Sequence, residues 1–374
     1  MTTRAEAPSF VSIDLGTLGG ATSYPFAVNG SGVSIGYSQP VDSTVFHAFR
    51  WTQADGMIDL GTLGGSFSIA TAVNERGVIV GASNLAADTV RHAFAWTEAG
   101  MVDLGALGGS YVGSYATGIN NMGLAIGFSW KTTEDFATHG FAWTGAAGMV
   151  DLGSFGGDTY PNAVNEGGVV VGTSYTSGNA ESRPFAWTRA GGMIDLGTLG
   201  GRFGEALAVN DAGVVVGYSY TAGEVSYPHP FAWTKETGMI DLGTLGRGNG
   251  GYAASVNNDG TIVGYTTTTG NEIVHAFVWS LDGGMLDLGA SDLESYASGI
   301  SHEGLVVGNN FTADGQGLQG FAWTSDGGMV GLDWLGRQYS QVYGVSKNGI
   351  IFGFSYNADG SGHATVWWPT DIEP

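Results

Sequence analysis

The sequence has no cysteine and few basic residues, and these two absences exclude several classes of protein. Without cysteine there can be no disulfide framework and no zinc or iron–sulfur centre held by thiolates. Only 12 Lys and Arg stand against 34 Asp and Glu, a formal net charge of −22. This charge repels nucleic-acid phosphates and anionic bilayers, so we predict no nucleic-acid partner. No apolar run approaches the ~20 residues of a membrane-spanning helix, so no membrane span is predicted.

Glycine and aromatic residues are abundant, and the tryptophans are regularly spaced. The 374 residues include 66 Gly, 11 Trp, 15 Tyr and 18 Phe. A spacing of about 45 residues is typical of a solenoid or a propeller. Tryptophans that recur at this spacing are therefore predicted to be architectural: Trp51, Trp96, Trp143, Trp187, Trp233, Trp279, Trp323 and Trp367.

One repeating unit organises the chain and carries the elements DLGTLGG, VNxxGxVVG and HAFAWT. It occurs eight times, starting near residues 14, 59, 103, 151, 195, 241, 287 and 331. Each unit predicts four short strands, named A to D, with no helical periodicity. Strand A ends in Ala-Val-Asn, B is a β-branched run ending at a glycine such as Gly172, C is HAFAWT and D is GMIDLG. An Asn-x-x-Gly turn joins A to B.

The two ends of the chain complement one another. Residues 9–15 form a lone D-type strand, whereas the last unit stops after its C strand. Pairing of these two strands would close a ring, and an open array would instead need polar caps at its terminal repeats. We therefore predict a single all-β domain over residues 1–374, an eight-bladed β-propeller of four-stranded antiparallel blades. Residues 9–15 complete the last blade.

The elements HAFAWT, DLGTLGG and VNxxGxVVG, repeated in this order, resemble the HAF-type extracellular repeat family. The resemblance covers nearly the whole chain, although the eighth unit departs from it by losing the Asp and gaining Trp334. It implies a bacterial β-propeller-like protein with no established activity or catalytic residue. It also implies a secreted or periplasmic location with a leader absent from this chain, while a cytoplasmic location is left open.

The two faces of the predicted disc differ in the variability of their connections. The A–B and C–D turns have nearly constant lengths, and we call their side the turn face. The B–C and D–A loops vary in length and in side chains, and we call their side the loop face. Loops on a rigid scaffold usually carry function, so the mouth of the channel on the loop face is the predicted site.

Tyrosine recurs five residues before the turn asparagine and is predicted to ring this mouth. Such a ring would form a stacking and hydroxyl-bearing platform for a saccharide or another small polar or aromatic ligand. The alternative is that each ring packs at the start of strand A with its hydroxyl in water. The position holds Tyr24, Tyr115, Tyr160, Tyr252 and Tyr296, with Ile69, Glu205 and Gln341 in the other units.

The few cations gather at the same mouth, where they could hold a carboxylate, sulfate or phosphate. They are Arg202, Arg247 and Arg337 in D–A loops and Lys131 in an irregular B–C loop. The alternative is local pairing with acids of the same face, namely Glu205, Asp158, Asp292 and Glu294. Those acids also admit a glycosidase with two carboxylates.

Six of the seven histidines occupy one repeat position at the start of strand C. With one imidazole per blade, two of them could not easily converge on one ion, so they are predicted to be structural. We predict no metal and no cofactor. The six are His47, His92, His139, His229, His275 and His363.

The function favoured by the sequence is a binding module for a saccharide or another small polar or aromatic ligand. Its predicted ligand-binding residues are the five tyrosines together with Arg202, Glu205, Arg247, Trp334 and Arg337. One alternative is a lyase or hydrolase with a single asymmetric site, in which Glu205 or Tyr160 is the base and the three arginines hold an anionic substrate. A further alternative is a platform that binds a protein partner.

Overall fold

Eight four-stranded antiparallel sheets form the whole structure, which confirms the predicted eight-bladed β-propeller. The computed structural model describes residues 7–109, 112–132, 137–223, 226–246, 249–269, 273–289, 293–313 and 317–371. In blades 1 to 7 the sheet is a meander whose strands A to D follow one another in the chain. In the described ranges, no helix is both long and apolar enough to cross a membrane.

The strands follow the repeat closely. Blade 1 contains β2 (Gly19–Val28), β3 (Ser34–Pro40), β4 (His47–Thr52) and β5 (Gly56–Asp59), and blade 2 contains β6 (Gly64–Val73), β7 (Ile79–Leu85), β8 (Arg91–Thr97) and β9 (Gly100–Gly105). Blade 3 contains β10 (Ser114–Ile119), β11 (Ala125–Trp130), β12 (Thr138–Thr144) and β13 (Gly148–Asp151), and blade 4 contains β14 (Gly156–Val164), β15 (Val170–Thr176), β16 (Ser182–Thr188) and β17 (Gly192–Asp195). Two short 3₁₀ helices, Ala86–Asp88 and Ser177–Asn179, lie in B–C loops.

The second half repeats the pattern. Blade 5 contains β18 (Gly200–Val209), β19 (Val215–Thr221), β20 (Pro228–Thr234) and β21 (Gly238–Asp241), and blade 6 contains β22 (Gly251–Val256), β23 (Ile262–Thr267), β24 (Val274–Ser280) and β25 (Gly284–Asp287). Blade 7 contains β26 (Ser295–Ile300), β27 (Val306–Phe311), β28 (Leu318–Thr324) and β29 (Gly328–Gly331). Blade 8 contains β30 (Ser340–Val345), β31 (Ile351–Tyr356) and β32 (Gly362–Pro369), and β1 (Phe10–Asp14) is its fourth strand.

The ends of the chain close the ring as predicted. Strand β1 pairs antiparallel with β32, with Ser12 opposite Trp367 at the centre of a five-residue register. Leu15, which follows β1, is buried in a cluster with Val366 and Trp368. The N-terminal segment therefore completes both the sheet and the core of the last blade.

The hydrophobic core lies between the blades. One cluster joins Val171 and Leu196 of blade 4 to Ala206, Val215 and Phe231 of blade 5. Similar clusters lie at the other blade interfaces, and the phenylalanine of strand C is fully buried in blades 1 to 7. The A strands contact one another around the ring, so they line the central channel.

Strand B does not end at its glycine as the sequence suggested, because β15 continues through Gly172 to Thr176. A Cβ at Gly172 would lie 2.1 Å from the carbonyl oxygen of Tyr160 on strand A. The pairing shifts register between Pro161 and Ala163, directly beside this close approach. The glycine therefore permits tight contact of two backbones in mid-strand.

The turn asparagine also joins neighbouring blades, which the turn motif alone did not predict. Within its own turn, the Asn165 side-chain oxygen accepts a hydrogen bond from the Val169 amide at 2.8 Å. Its side-chain nitrogen donates to the carbonyl oxygen of Asn210 in the next blade at 2.9 Å. The same bond between blades is made by Asn29, Asn74, Asn120 and Asn210.

Candidate functional site

The mouth on the loop face is lined by residues of strands A and B that lie opposite one another in register. Tyr24 of β2 pairs with Tyr37 of β3, and their ring centroids lie 5.1 Å apart. The other face of Tyr24 stacks on Phe354 of the preceding blade at 5.0 Å. A strand-A ring is thus held between two strand-B rings, one from its own blade and one from its neighbour.

The full arrangement recurs at Tyr252, and other strand-A tyrosines contact one strand-B ring. Tyr252 lies 4.5 Å from Tyr218 of blade 5 and 5.2 Å from Tyr265 of its own blade, and Tyr296 lies 4.9 Å from Tyr265. We call the rings of these paired positions the aromatic belt. Its members are Tyr24, Tyr37, Tyr115, Phe128, Tyr160, Tyr218, Tyr252, Tyr265, Tyr296 and Phe354. All five predicted tyrosines belong to it.

The belt opens into a cavity of about 380 Å³ where blades 8 and 1 meet. The cavity is lined by Tyr24, Pro25, Phe26, Tyr37 and Tyr343. Phe26 and Tyr343 are 44% and 37% exposed, large fractions for aromatic residues on inner strands. Burial raises the pKa of the Tyr343 hydroxyl to about 12, so this phenol is neutral at any physiological pH. Only the strand-A tyrosines were predicted from the sequence, so Tyr37 was missed, although its strand-B position is aromatic in five units. Phe26 and Tyr343 share one repeat position that is aromatic in these two units alone.

Glu205 replaces the strand-A tyrosine in blade 5 and lies among other tyrosines. Its partner in register is Tyr218. Burial, and then hydrogen bonding and the charge of Glu205, raise the pKa of the Tyr218 hydroxyl. Burial and the same carboxylate also raise the pKa values of Tyr175 and Tyr252. These phenols therefore stay protonated around one carboxylate.

Three of the predicted tyrosines use their hydroxyls in hydrogen bonds within the mouth. The Tyr115 hydroxyl accepts a bond from Arg91 at 2.7 Å, and that guanidinium lies over the Phe67 ring. The Tyr160 hydroxyl donates to Thr138 at 3.3 Å, and the Tyr296 hydroxyl donates to Glu294 at 2.8 Å. The contact of Arg91 with Tyr115 joins residues 24 apart in different blades, so no sequence motif within one repeat predicts it.

Two of the predicted cations, Arg202 and Lys131, pair with local acids. Arg202 is 66% exposed and lies 3.3 Å from a carboxylate oxygen of Glu181, which also pairs with Arg183. Its partner is thus an acid of the B–C loop that the sequence analysis did not name. Lys131 pairs with Asp151. Arg247 and Asp292 lie outside the described residues.

Two further predicted residues lie on the irregular D–A connection of blade 8. The Arg337 guanidinium packs against Gly360, where an added Cβ would lie 2.7 Å from it. Trp334 is 36% exposed. Neither residue is part of the aromatic belt.

Two of the acids that could serve a two-carboxylate mechanism, Asp158 and Glu294, are engaged locally. Asp158 accepts a bond from the Thr138 amide at 2.6 Å and from the Asn179 side chain at 2.7 Å. Glu294 accepts the Tyr296 hydroxyl. Each carboxylate therefore already fixes the loop or strand in which it lies.

The repeated histidines contact the aspartate of the DLG element in the same blade. His92 is 2% exposed, and its Nδ1 lies 2.9 Å from Asp103. The other pairs are His47 with Asp59, His139 with Asp151, His229 with Asp241, His275 with Asp287 and His363 with Asp14. This contact ties strand C to strand D, a structural arrangement repeated around the ring.

These pairs predict a loss of stability in acid. Burial raises the pKa of Asp103, but hydrogen bonds from His92 and the Gly105 amide outweigh it, so the pKa lies below its usual value. The same balance lowers the pKa of Asp241. A carboxyl whose pKa is lowered by folding contributes stability above its unfolded pKa of about 3.9, and this contribution disappears as the pH falls through the folded value. The free energy of unfolding should therefore fall below about pH 4.

Urea unfolding at pH 7 and pH 3 measures this effect. Asp103→Asn should be less stable than the parent at pH 7 and lose less stability between the two pH values. Asp282→Asn, in an exposed C–D turn, is the control and should follow the parent. An Asp103→Asn variant that matches the parent at both pH values would contradict the assignment.

The turn face also carries a groove, of about 390 Å³, between blades 3 and 4. Its lining includes Met122, Leu124 and Trp187. Met122 is 67% exposed. The groove lies on the turn face, at the opposite end of the strands from the loop-face mouth. Its residues can therefore serve as controls for variants of the aromatic belt.

Comparison with solved structures supports the propeller fold. No protein-family model and no curated protein matches the sequence. The β-propeller domain of the Trilobed protease from Pyrococcus furiosus is similar at 10% identity and a TM-score of 0.53, over 81% of this chain and 96% of that domain. Dipeptidyl peptidase 4 of Porphyromonas gingivalis is similar at 10% identity and a TM-score of 0.56, over 96% of this chain. This chain spans 59% of that protein. The likeness shows the fold alone.

Proposed function

We propose that this protein binds a saccharide or another small polar ligand with an apolar face at the loop-face mouth of its channel. The observation that carries the proposal is the cavity between blades 8 and 1. There Phe26 and Tyr343 leave more than a third of their surface exposed beside Tyr24 and Tyr37. Aromatic surface held open on a rigid scaffold is what a stacking ligand requires.

The chemistry of the cavity suits a pyranose ring. The C–H face of a sugar packs on an aromatic face, and neighbouring phenol hydroxyls can donate to and accept from the sugar hydroxyls. Tyr24 is already held between Tyr37 and Phe354, so its ring loses little freedom when a ligand arrives. A rigid platform of this kind favours recognition of shape over a single strong charge contact.

Binding is favoured over hydrolysis by the state of two acids and one phenol elsewhere on the loop face. Asp158 and Glu294 are committed to local hydrogen bonds. Tyr218 has a raised pKa, which is the wrong direction for a phenolate base near neutral pH. These features support a site that holds its ligand unchanged.

A glycan array followed by titration tests the proposal. Tyr343→Ala and Phe26→Ala should each weaken binding of the retained glycan at least about ten-fold, or about 1.4 kcal/mol, because each removes exposed stacking surface. Both side chains are partly exposed, so the fold should survive, and circular dichroism confirms that. Met122→Ala on the turn face is the control and should bind like the parent. Binding of no glycan, or full affinity in both aromatic variants, would reject the proposal.

A further inference from the structure

The aromatic belt holds one carboxylate at a strand-A position, and it lies in blade 5. The other strand-A positions carry five tyrosines, Ile69 and Gln341. In a ring of eight blades, blade 5 lies across the channel from blade 1, which supplies Tyr24 and Phe26 to the cavity. Glu205 therefore lies in the same mouth as the cavity of blades 8 and 1, but on the opposite wall of the channel.

Phenol rings surround this carboxylate on the side of blades 5 and 6. Tyr218 lies opposite Glu205 in the strand pairing. The Tyr252 ring lies 4.5 Å from that of Tyr218 at an interplanar angle of 64°, and the Tyr220 ring lies 6.4 Å from it. The Tyr218 ring is set at 64° to each of the other two, so electron-rich rings lie on this side of the carboxylate.

On the side of blade 4 a phenol, Tyr175, also lies near the carboxylate, but the strand-B position next to Glu205 holds a small residue. Thr173 occupies the strand-B position that holds a ring in Tyr218 and Tyr265, and those rings contact the strand-A residue of the next blade. Thr173 therefore faces Glu205 with a methyl and a hydroxyl in place of a ring. Its hydroxyl is buried and has no hydrogen-bond partner among the described residues. A ring is thus replaced by a small group with unused hydrogen-bonding capacity.

The charge of Glu205 is not matched by a cation in the described ranges of the chain, where no Lys, Arg or His lies within ion-pair distance of it. Arg202, three residues earlier on β18, lies instead beside Glu181. The surrounding tyrosines remain neutral because their pKa values are raised. The net charge of −22 on the whole protein also favours the approach of a positive ligand.

We propose that the Glu205 cluster is a binding site for an organic cation, an amine or methylated ammonium group. Tyrosine faces attract such a cation through their quadrupoles, and a carboxylate adds direct charge pairing. A methylated ammonium suits such ring faces, because its methyl groups can pack on them while they carry the positive charge. The site is separate from the cavity of blades 8 and 1 and does not depend on saccharide binding there.

Titration with tetramethylammonium chloride at constant ionic strength tests this inference, with tert-butanol as the uncharged ligand of similar shape. The parent should bind tetramethylammonium at least ten-fold more tightly than tert-butanol. Glu205→Gln and Tyr252→Leu should each weaken that binding more than ten-fold. Glu181→Gln changes the net charge equally but alters an acid already paired with two arginines, so it should bind like the parent.

Equal binding of the two probes, or parent affinity in Glu205→Gln, would overturn the proposal. So would an equal loss in Glu181→Gln, because that would reveal a response to net charge alone. Glu205→Gln keeps the size of the side chain, so the test does not depend on the folding of Tyr252→Leu. Tyr343→Ala should leave tetramethylammonium binding unchanged, which distinguishes failure of this site from failure of the saccharide site.

Discussion

Deleting residues 1–18 is expected to destroy the cooperative thermal transition of the propeller or to lower its midpoint sharply. The deletion removes β1 and exposes the edge of β32 along a five-residue register. It also removes Leu15, whose burial alone is worth about 1.5–3 kcal/mol, and uncovers Trp368. An unpaired edge strand frays or aggregates, so the loss should exceed that of the buried side chain.

The control for this experiment is deletion of residues 1–6, which leaves all of β1 in place. That variant should unfold like the parent in differential scanning calorimetry. If the 1–18 deletion also melted cooperatively within about 2 °C of the parent, β1 would not close the ring. The protein would then still have eight blades, but pairing of β1 with β32 would not be what closes the ring.

Asn165→Ala is expected to lower the free energy of unfolding by about 2–4 kcal/mol, since two buried or partly buried backbone groups lose their partners. The Val169 amide loses its acceptor within the turn, and the Asn210 carbonyl loses its donor from the neighbouring blade. Asn165 is 5% exposed, so water cannot easily replace either contact. Urea unfolding at neutral pH measures the difference.

The chain itself offers the matched variant. In blades 7 and 8 the turn asparagine is replaced by Ser301 and Ser346, whose hydroxyls still accept the turn amides of Leu305 and Ile350. Asn165→Ser should therefore keep the turn bond and lose only the bond between blades, at about half the cost of the alanine variant. If both variants unfolded like the parent, the asparagine bonds between blades would contribute nothing to stability.

The fold was predictable because its determinants recur. Eight copies of one unit specify the strand order, and the D-type strand at residues 9–15 specifies the closure that β1 and β32 make. The bond from Asn165 to Asn210 was not predictable, since the turn motif describes only contacts within one hairpin. Gly172 was misplaced for a similar reason: a glycine needed for close backbone approach in mid-strand looks, in sequence, like the end of a strand.

The candidate site was only partly predictable. Repetition identified Tyr24 and its equivalents, but the exposed rings of Phe26 and Tyr343 stand at a repeat position that is aromatic in only two of eight units, too few to form a pattern. The partner of Arg202 depends on where the B–C loop places Glu181, which strand patterns do not specify. Features that recur describe the scaffold, whereas features that occur once depend on how the loops and blades meet.

Fluorine NMR of protein labelled with 3-fluorotyrosine tests the central claim, that the loop-face mouth is the binding site. The chain has 15 tyrosines, and single Tyr→Phe variants assign their resonances. Titration with the glycan retained most strongly on the array should shift Tyr24, Tyr37 and Tyr343, which line the cavity. If the glycan bound while these three resonances stayed in place, the ligand would lie elsewhere on the molecule and the account would be wrong.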